Sequence, residues 1–306
     1  MMAGRQTGIA HGLLARCRQG GQDTEPPFSL LAKLGHLLSR AGQTEFAMVK
    51  NVGPSMLYEA TPRPVVAVGN DYPPDFEVAP HHHGRYQLLY GASGVMMVWT
   101  EHGAWVVPPA QAVWIPVGVQ HSVRTVGPVT TSSIFIRPEA IAGMPPSCSV
   151  LGISPLMRAL LLAAVDLPLE YEVEGRDGLV VALMLQELLR LPILPLSLPF
   201  PIDRELARRC RRYIKDPSPH ETIDDWAENL GLSRRSFTRL FKRETGMSFA
   251  AWQRQACVFA ALPRLVARES ITRVALDLGY ESPAAFTTMF KKALGMPPSE
   301  YVAAHD

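Results

Sequence analysis

From Pro64 onward, short apolar runs alternate with clusters of Gly, Pro, Asp and His. The runs Val65–Val68, Tyr86–Tyr90, Val95–Trp99, Trp105–Val107, Ala112–Ile115, Ser122–Val126 and Ser132–Ile136 are rich in Val, Trp and Ile. Repeated short β-prone runs between turn signals predict an all-β sandwich or barrel. Past Ser154 the apolar period becomes helical, predicting helices over Pro155–Val165 and Asp177–Leu191. The second is apolar almost all round (Leu179, Val180, Val181, Leu183, Met184, Leu185, Leu188, Leu189), so it needs cover on two sides. The barrel supplies one side, and either another part of the chain or a second copy supplies the other. The proline-rich stretch 192–201 reads as a semi-rigid linker. Residues 1–47 lack pattern except at Leu30–Leu38, and are expected to be a flexible, dispensable extension or a misplaced start.

The last third contains a repeat of about fifty residues. Ile223, Ala227, Leu230 and Gly231 recur as Ile271, Ala275, Leu278 and Gly279. After one inserted residue, Phe237, Phe241, Lys242, Gly246 and Met247 recur as Phe286, Phe290, Lys291, Gly295 and Met296. In the first copy Ile223, Trp226, Ala227 and Leu230 make one apolar stripe that a left-handed Gly231 can close, and Ser233 suits the N-cap of the next helix. That helix is anchored by Phe237, Leu240 and Phe241, which leaves Arg234, Arg235, Thr238, Arg239 and Lys242 on its free face. One such motif could be a plain helical hairpin with a solvated charged face. Two copies with matching Ala, Gly and aromatic spacing predict paired helix-turn-helix units, which set their second helices in the major groove. A preceding helix from Asp203 carries Arg204, Arg208, Arg211, Arg212 and Lys215 on one side, either against phosphates or merely solvated.

Composition narrows the field without changing it. With 306 residues, 47% hydrophobic and 19% charged, the chain is neither collagen, coiled coil nor wholly disordered, and its length suits two domains. The net charge is +2, but residues 203–306 hold 17 Lys and Arg against 13 Asp and Glu, so the basic surplus lies with the repeat. Cys17, Cys148, Cys210 and Cys257 show neither zinc-knuckle nor disulfide spacing, which fits a reducing compartment. The apolar stretch Gly8–Ala15 is short and holds His11, against a signal peptide, and no uninterrupted apolar run spans a bilayer. A cytoplasmic protein is expected.

The segments "LGLSRRSFTRLFKRETGMSFAAW" and "ALDLGYESPAAFTTMFKKALGMPPSEY" resemble the DNA-binding domain of the AraC family of bacterial transcription regulators, over about a third of the chain. The resemblance implies two helix-turn-helix units joined by a linker helix within Phe249–Ala267, entering successive major grooves about 10 base pairs apart. Base-facing positions carried over are Arg235, Thr238 and Arg239 in the first unit, and Ala284, Ala285, Thr287 and Thr288 in the second. Pro263 departs from that plan and is expected to kink or end the linker helix.

His81-x-His83-x3-Gln87 followed by Pro116-x-Gly118-x2-His121 is similar to the two motifs of cupin barrels. Alternate strand residues point the same way, so His81 and His83 can both face the interior, with His121 meeting them from a later strand. Such donors suit a divalent transition metal rather than Ca or Mg. Gln87 stands where the cupin pattern has Glu, so three readings stay open: a metal, a metal-free organic effector, or a solvated turn of histidines. Tyr86, Trp99, Trp105 and Trp114 read as core or pocket wall. Together these features predict an α+β, two-domain fold, with a cupin-like sensor and dimerisation domain at 61–200 and a DNA-binding domain at 203–306. The function expected is a homodimeric, nucleoid-associated transcription regulator of operator or promoter DNA. It would respond to a small effector, meet RNA polymerase if it activates, and carry no catalysis. The alternative is a metal-dependent cupin enzyme, oxygenase or isomerase, with an accessory DNA-binding domain.

Overall fold

Strand alternation sorts the apolar residues onto two facing sheets in the computed structural model, which describes residues 59–304. The expected N-terminal extension lies outside the described residues. The strands are β1 (Val65–Tyr72), β2 (Glu77–His81), β3 (Tyr86–Gly91), β4 (Val95–Thr100), β5 (Gly103–Val107), β6 (Gln111–Ile115), β7 (His121–Val126), β8 (Val129–Ile136), β9 (Ser149–Gly152), β10 (Ile193–Leu194) and β11 (Ser197–Pro199). One antiparallel sheet has the order β1-β8-β3-β6-β9-β10 and the other β11-β5-β4-β7-β2. All seven expected strands form.

The six-stranded sheet is buried on both faces, which explains why its strands read as continuous apolar runs. Leu89, Val113 and Ile115 join the cluster between the sheets, while Leu88, Tyr90, Ala112 and Trp114 join a second cluster with two helices, α1 (Pro155–Val165) and α2 (Arg176–Leu188). Ser154 caps α1 by accepting from the Met157 amide. The helix expected to run to Leu191 stops at Leu188. The stretch expected to be a linker is instead built into the sheets: β10 pairs with β9 and β11 with β5, each at an edge. Prolines are tolerated there because an edge strand needs no donor on its outer side. Their carbonyls still accept, Pro192 from the Gly152 amide, Pro195 from Gln255 and Pro199 from the Trp252 indole.

The C-terminal region is helical: α3 (Arg204–Lys215), α4 (Ile223–Asn229), α5 (Arg234–Thr245), α6 (Phe249–Val266), α7 (Ile271–Asp277), α8 (Pro283–Leu294) and α9 (Pro298–Ala304). Helix α6 contacts α3, α5, α7, α8 and α9, as well as β5 and β11. Surrounded in this way, it buries residues on every side, including Trp252, Ala256, Val258, Phe259 and Leu262. Its buried side-chain amide, Gln255, donates to the Pro195 carbonyl. Pro263 does not end the helix: α6 continues to Val266, because a proline in the last turn forfeits one backbone bond while its ring fills buried space. Trp99 of β4 packs edge-on against Phe259 at 5.6 Å, so one apolar cluster continues from the sheets into the helices. No helix among the described residues is long and apolar enough to cross a membrane.

Trp252 donates to the Pro199 carbonyl at 2.8 Å, from the middle of α6 to the β11 strap. Trp252→Phe is expected to keep most of the packing and strand that carbonyl, costing about 1 to 3 kcal/mol in urea unfolding. A change within error would mean that the bond holds nothing together.

Candidate nucleic-acid interface and histidine cluster

Each repeat unit folds as a helix, a glycine-closed turn and a second helix. Gly231 and Gly279 (φ 64° and 80°) follow the first helices, and Gly246 and Gly295 (φ 72° and 82°) close the second, a left-handed geometry that favours glycine. Ser233 and Ser282 cap α5 and α8 by accepting from the Ser236 and Ala285 amides, each at 3.2 Å. Trp226, Phe237, Phe241 and Phe249 form the aromatic core of the first unit, with Trp226 and Phe249 4.8 Å apart. Phe286, Phe290 and Tyr301 do the same in the second.

What burial leaves outside decides the chemistry. Arg234, Arg235, Thr238, Arg239 and Lys242 are all exposed on α5, as expected. Arg234 is held by Asp224 at 2.6 Å, while Thr238 turns its hydroxyl proton to the Arg234 carbonyl at 2.8 Å. On α8, Ala284, Ala285 and Thr288 are exposed, but Thr287 is half-buried, which turns it partly away from the free face. Thr288 bonds the Ala284 carbonyl at 2.9 Å. Lys291 and Lys292, in the last turn of α8, are exposed cations missing from the expected set; their i, i+7 and i, i+8 spacing from Ala284 was the available signal. Arg211, read as a possible phosphate contact, instead donates to the Glu101 carbonyl at 2.8 Å and joins the helices to the sheets.

Within the β-domain, His81, His83 and His121 converge, with ring centroids 4.3 Å apart for His81 and His121 and 5.4 Å for His83 and His121. His81 ends β2 and pairs across the sheet with His121, the first residue of β7. His83 lies beyond β2 rather than on it, because the strand bulges after Val78 and stops at His81; the turn is held by the Gly118 amide on the His83 carbonyl at 2.9 Å. It still reaches the interior, while His82 is exposed. The Nδ1 atoms of His81 and His121 lie 2.8 and 2.9 Å from the carbonyls of Ala79 and Val119, fixing the tautomer in which Nε2 carries the lone pair. Gln87, from β3, donates Nε2 to Ser133 at 3.3 Å. Burial, then the neighbouring imidazoles, lowers His83 to about 4. Burial likewise lowers His121 to about 4, against the bond to Val119. Of the four aromatic residues read as wall or core, Trp105 and Trp114 are core, Tyr86 stacks beside Trp114 at 4.8 Å, and Trp99 borders a cleft of about 1,030 Å³ between the five-stranded sheet and α3, α6 and α7.

Comparison with known proteins finds two family matches: an AraC-like ligand binding domain over residues 63–191 and a helix-turn-helix domain over residues 226–304. The HTH-type transcriptional regulator NimR of Escherichia coli (strain K12) is 35% identical over 223 residues, covering 73% of this chain and 81% of that protein. The arabinose operon regulatory protein of the same organism is 30% identical over 136 residues, 42% of this chain and 46% of that protein. Among solved structures, ToxT from Vibrio cholerae is 12% identical and covers 79% of this chain and 98% of its own, with a TM-score of 0.34, too loose a fit to carry anything further.

Both inner histidines sit below their unfolded value, so the fold favours their neutral form. That stability is present above about pH 6.5 and is lost as the pH falls through 6.5 towards 4. In chelator-treated protein an NMR titration should place both His83 and His121 near 4. Midpoints near 6.5 would mean that water reaches the cluster freely.

Proposed function

The chain belongs to the AraC family of transcription regulators, and from that premise we propose that residues 203–306 read duplex DNA while residues 61–200 sense an effector and pair two copies. The observation that carries the reading is the pair of glycine-closed, serine-capped helix units, whose exposed faces differ in chemistry. On α5, Arg235 and Arg239 each offer a planar fork for O6 and N7 of guanine, and Thr238 offers a methyl and a hydroxyl. On α8, Ala284, Ala285, Thr287 and Thr288 offer apolar and single hydrogen-bond contacts only, so the second half-site is specified weakly. Arg234, Lys242, Lys291 and Lys292 suit phosphates, which position the helices without reading sequence.

The homodimer is supported by apolar surface left bare on the sheet-covering helices. Val181, Met184 and Leu188 bury one side of α2, while Leu179 (71% exposed), Ala182 and Leu183 face out; α1 likewise exposes Leu156, Ala159 and Leu162. Exposed apolar stripes of this kind on paired helices suit a second copy of the same surface. The protein works where the DNA is, and RNA polymerase is its further partner at promoters it activates. No chemical step is assigned to the barrel, in keeping with relatives that are transcription regulators.

Binding-site selection from random DNA tests the inequality of the helices. Arg239→Ala should cost about 1 to 3 kcal/mol and relax base preference in one half of the site only, and Thr288→Ala should cost less. Two equally sharp half-motifs would contradict the assignment. For the dimer, Leu179→Arg should convert the sedimenting species from dimer to monomer at micromolar concentration; a monomeric unmodified protein would refute the interface.

A further inference from the structure

The barrel's sensing role leaves its signal unnamed, and the histidine cluster supplies a chemical class. Resting on the sensor reading above, we propose that His81, His83 and His121, with the Gln87 amide oxygen, bind a divalent first-row transition-metal ion, and that this ion is the signal the barrel detects.

Four observations carry this. First, one ligand atom from each imidazole lies within 4.8 Å of the others, whereas nitrogens on a tetrahedral ion sit about 3.3 Å apart, so the rings need to close by about 1.5 Å or less. Second, the tautomers are already set: the Nδ1 atoms of His81 and His121 are spent on the Ala79 and Val119 carbonyls, the outer hydrogen bond that metal-bound histidines ordinarily make. Third, two buried acceptors on the cavity wall are unsatisfied. His121 Nε2, on a side chain 1% exposed, and Gln87 Oε1 have no hydrogen-bond partner among the described residues, a costly state for atoms removed from water. Fourth, the cavity bordered by His81, Gln87 and His121 measures about 50 Å³. A water occupies about 30 Å³ and organic ligands take pockets of about 300–1,000 Å³, so an ion with one water fits there and a sugar-sized or aromatic effector does not.

Donor chemistry narrows the ion. Three imidazoles and an amide oxygen suit Zn²⁺, Co²⁺ or Ni²⁺ better than Mg²⁺ or Ca²⁺, which need hard, mostly anionic oxygens. The cavity lining holds no carboxylate, so the donors offered to the ion are neutral. The route outward is short. His121 opens β7 and pairs with Thr100 of β4; the residues between them and the helices, Trp99, Ser122 and Arg124, border the cleft against α3, α6 and α7. Drawing His121 towards His81 therefore acts on β4, whose Trp99, next to the His121 partner Thr100, packs against Phe259 of α6.

The test uses the full-length, chelator-stripped protein and Co²⁺ or Zn²⁺ alone, with two readouts. Calorimetry and the Co²⁺ ligand-field spectrum should report one ion per chain, with intensity typical of a four-coordinate site. His121→Ala should weaken binding more than about 100-fold, beyond what losing an outer hydrogen bond costs. Gln87→Glu, which adds the missing negative charge, should tighten it about tenfold, and guards against a His121 variant that merely misfolds. Affinity for a selected DNA site should change about fivefold or more between Zn²⁺ and chelator. DNA binding without stoichiometric metal, or with metal binding indifferent to both substitutions, overturns the metal site while leaving the DNA-reading assignment intact. One bound ion with no change in DNA affinity overturns its role as the signal. Absence of sequence-specific DNA binding under every condition overturns the regulatory reading itself.

Discussion

Helix α6 is the constraint on which the rest depends. Eleven of its 18 residues are buried, because it is wedged between both helix-turn-helix units and the β5–β11 edge. A helix with apolar residues on every side is stable only when it is surrounded, so neither unit can leave it without exposing Trp252, Phe259 or Leu262 to water. About 27 Å long at 18 residues, it packs against the second helix of each unit, α5 and α8, and so sets their mutual placement.

The same helix ties the reading helices to the barrel. The stretch 192–200 is hydrogen-bonded to both sheets on one side and to Trp252 and Gln255 on the other, through proline carbonyls whose ring nitrogens ask for nothing in return. Arg211 adds a bond from α3 to Glu101, and its guanidinium lies 5.0 Å over Phe200. A shift of β4 reaches α6 through Trp99, which packs against Phe259 at 5.6 Å. Coupling of this sort needs no long pathway, only a shared packed layer with two arrangements.

The repeat was legible because both copies solve one problem with the same residues: a small Ala at the crossing, a left-handed Gly at the turn and two Phe anchors four apart. The seven strands were legible from β-branched and aromatic runs. Strand β2 was not, because Glu77–His81 is an edge strand with a bulge and mostly outward residues, so it carries no alternation. Strands β10 and β11 hid behind prolines, which composition assigns to linkers and only tertiary pairing can place on an edge. Pro263 misled for the opposite reason: its cost depends on its position within the turn, which residue type alone does not reveal. The histidine spacing named side chains that the fold brings together, yet the anchored Nδ1 atoms and the smallness of the cavity beside them exist only after folding.

Both second helices, α5 and α8, pack on α6, and the proposal that each reads DNA rests on their standing side by side in one chain. Hydroxyl-radical footprinting of the full-length protein on a selected site tests it at nucleotide resolution. Each chain should protect two patches about 10 base pairs apart on one face of the duplex, the first deeper than the second. A single protected patch per chain, or two patches on opposite faces, would contradict it.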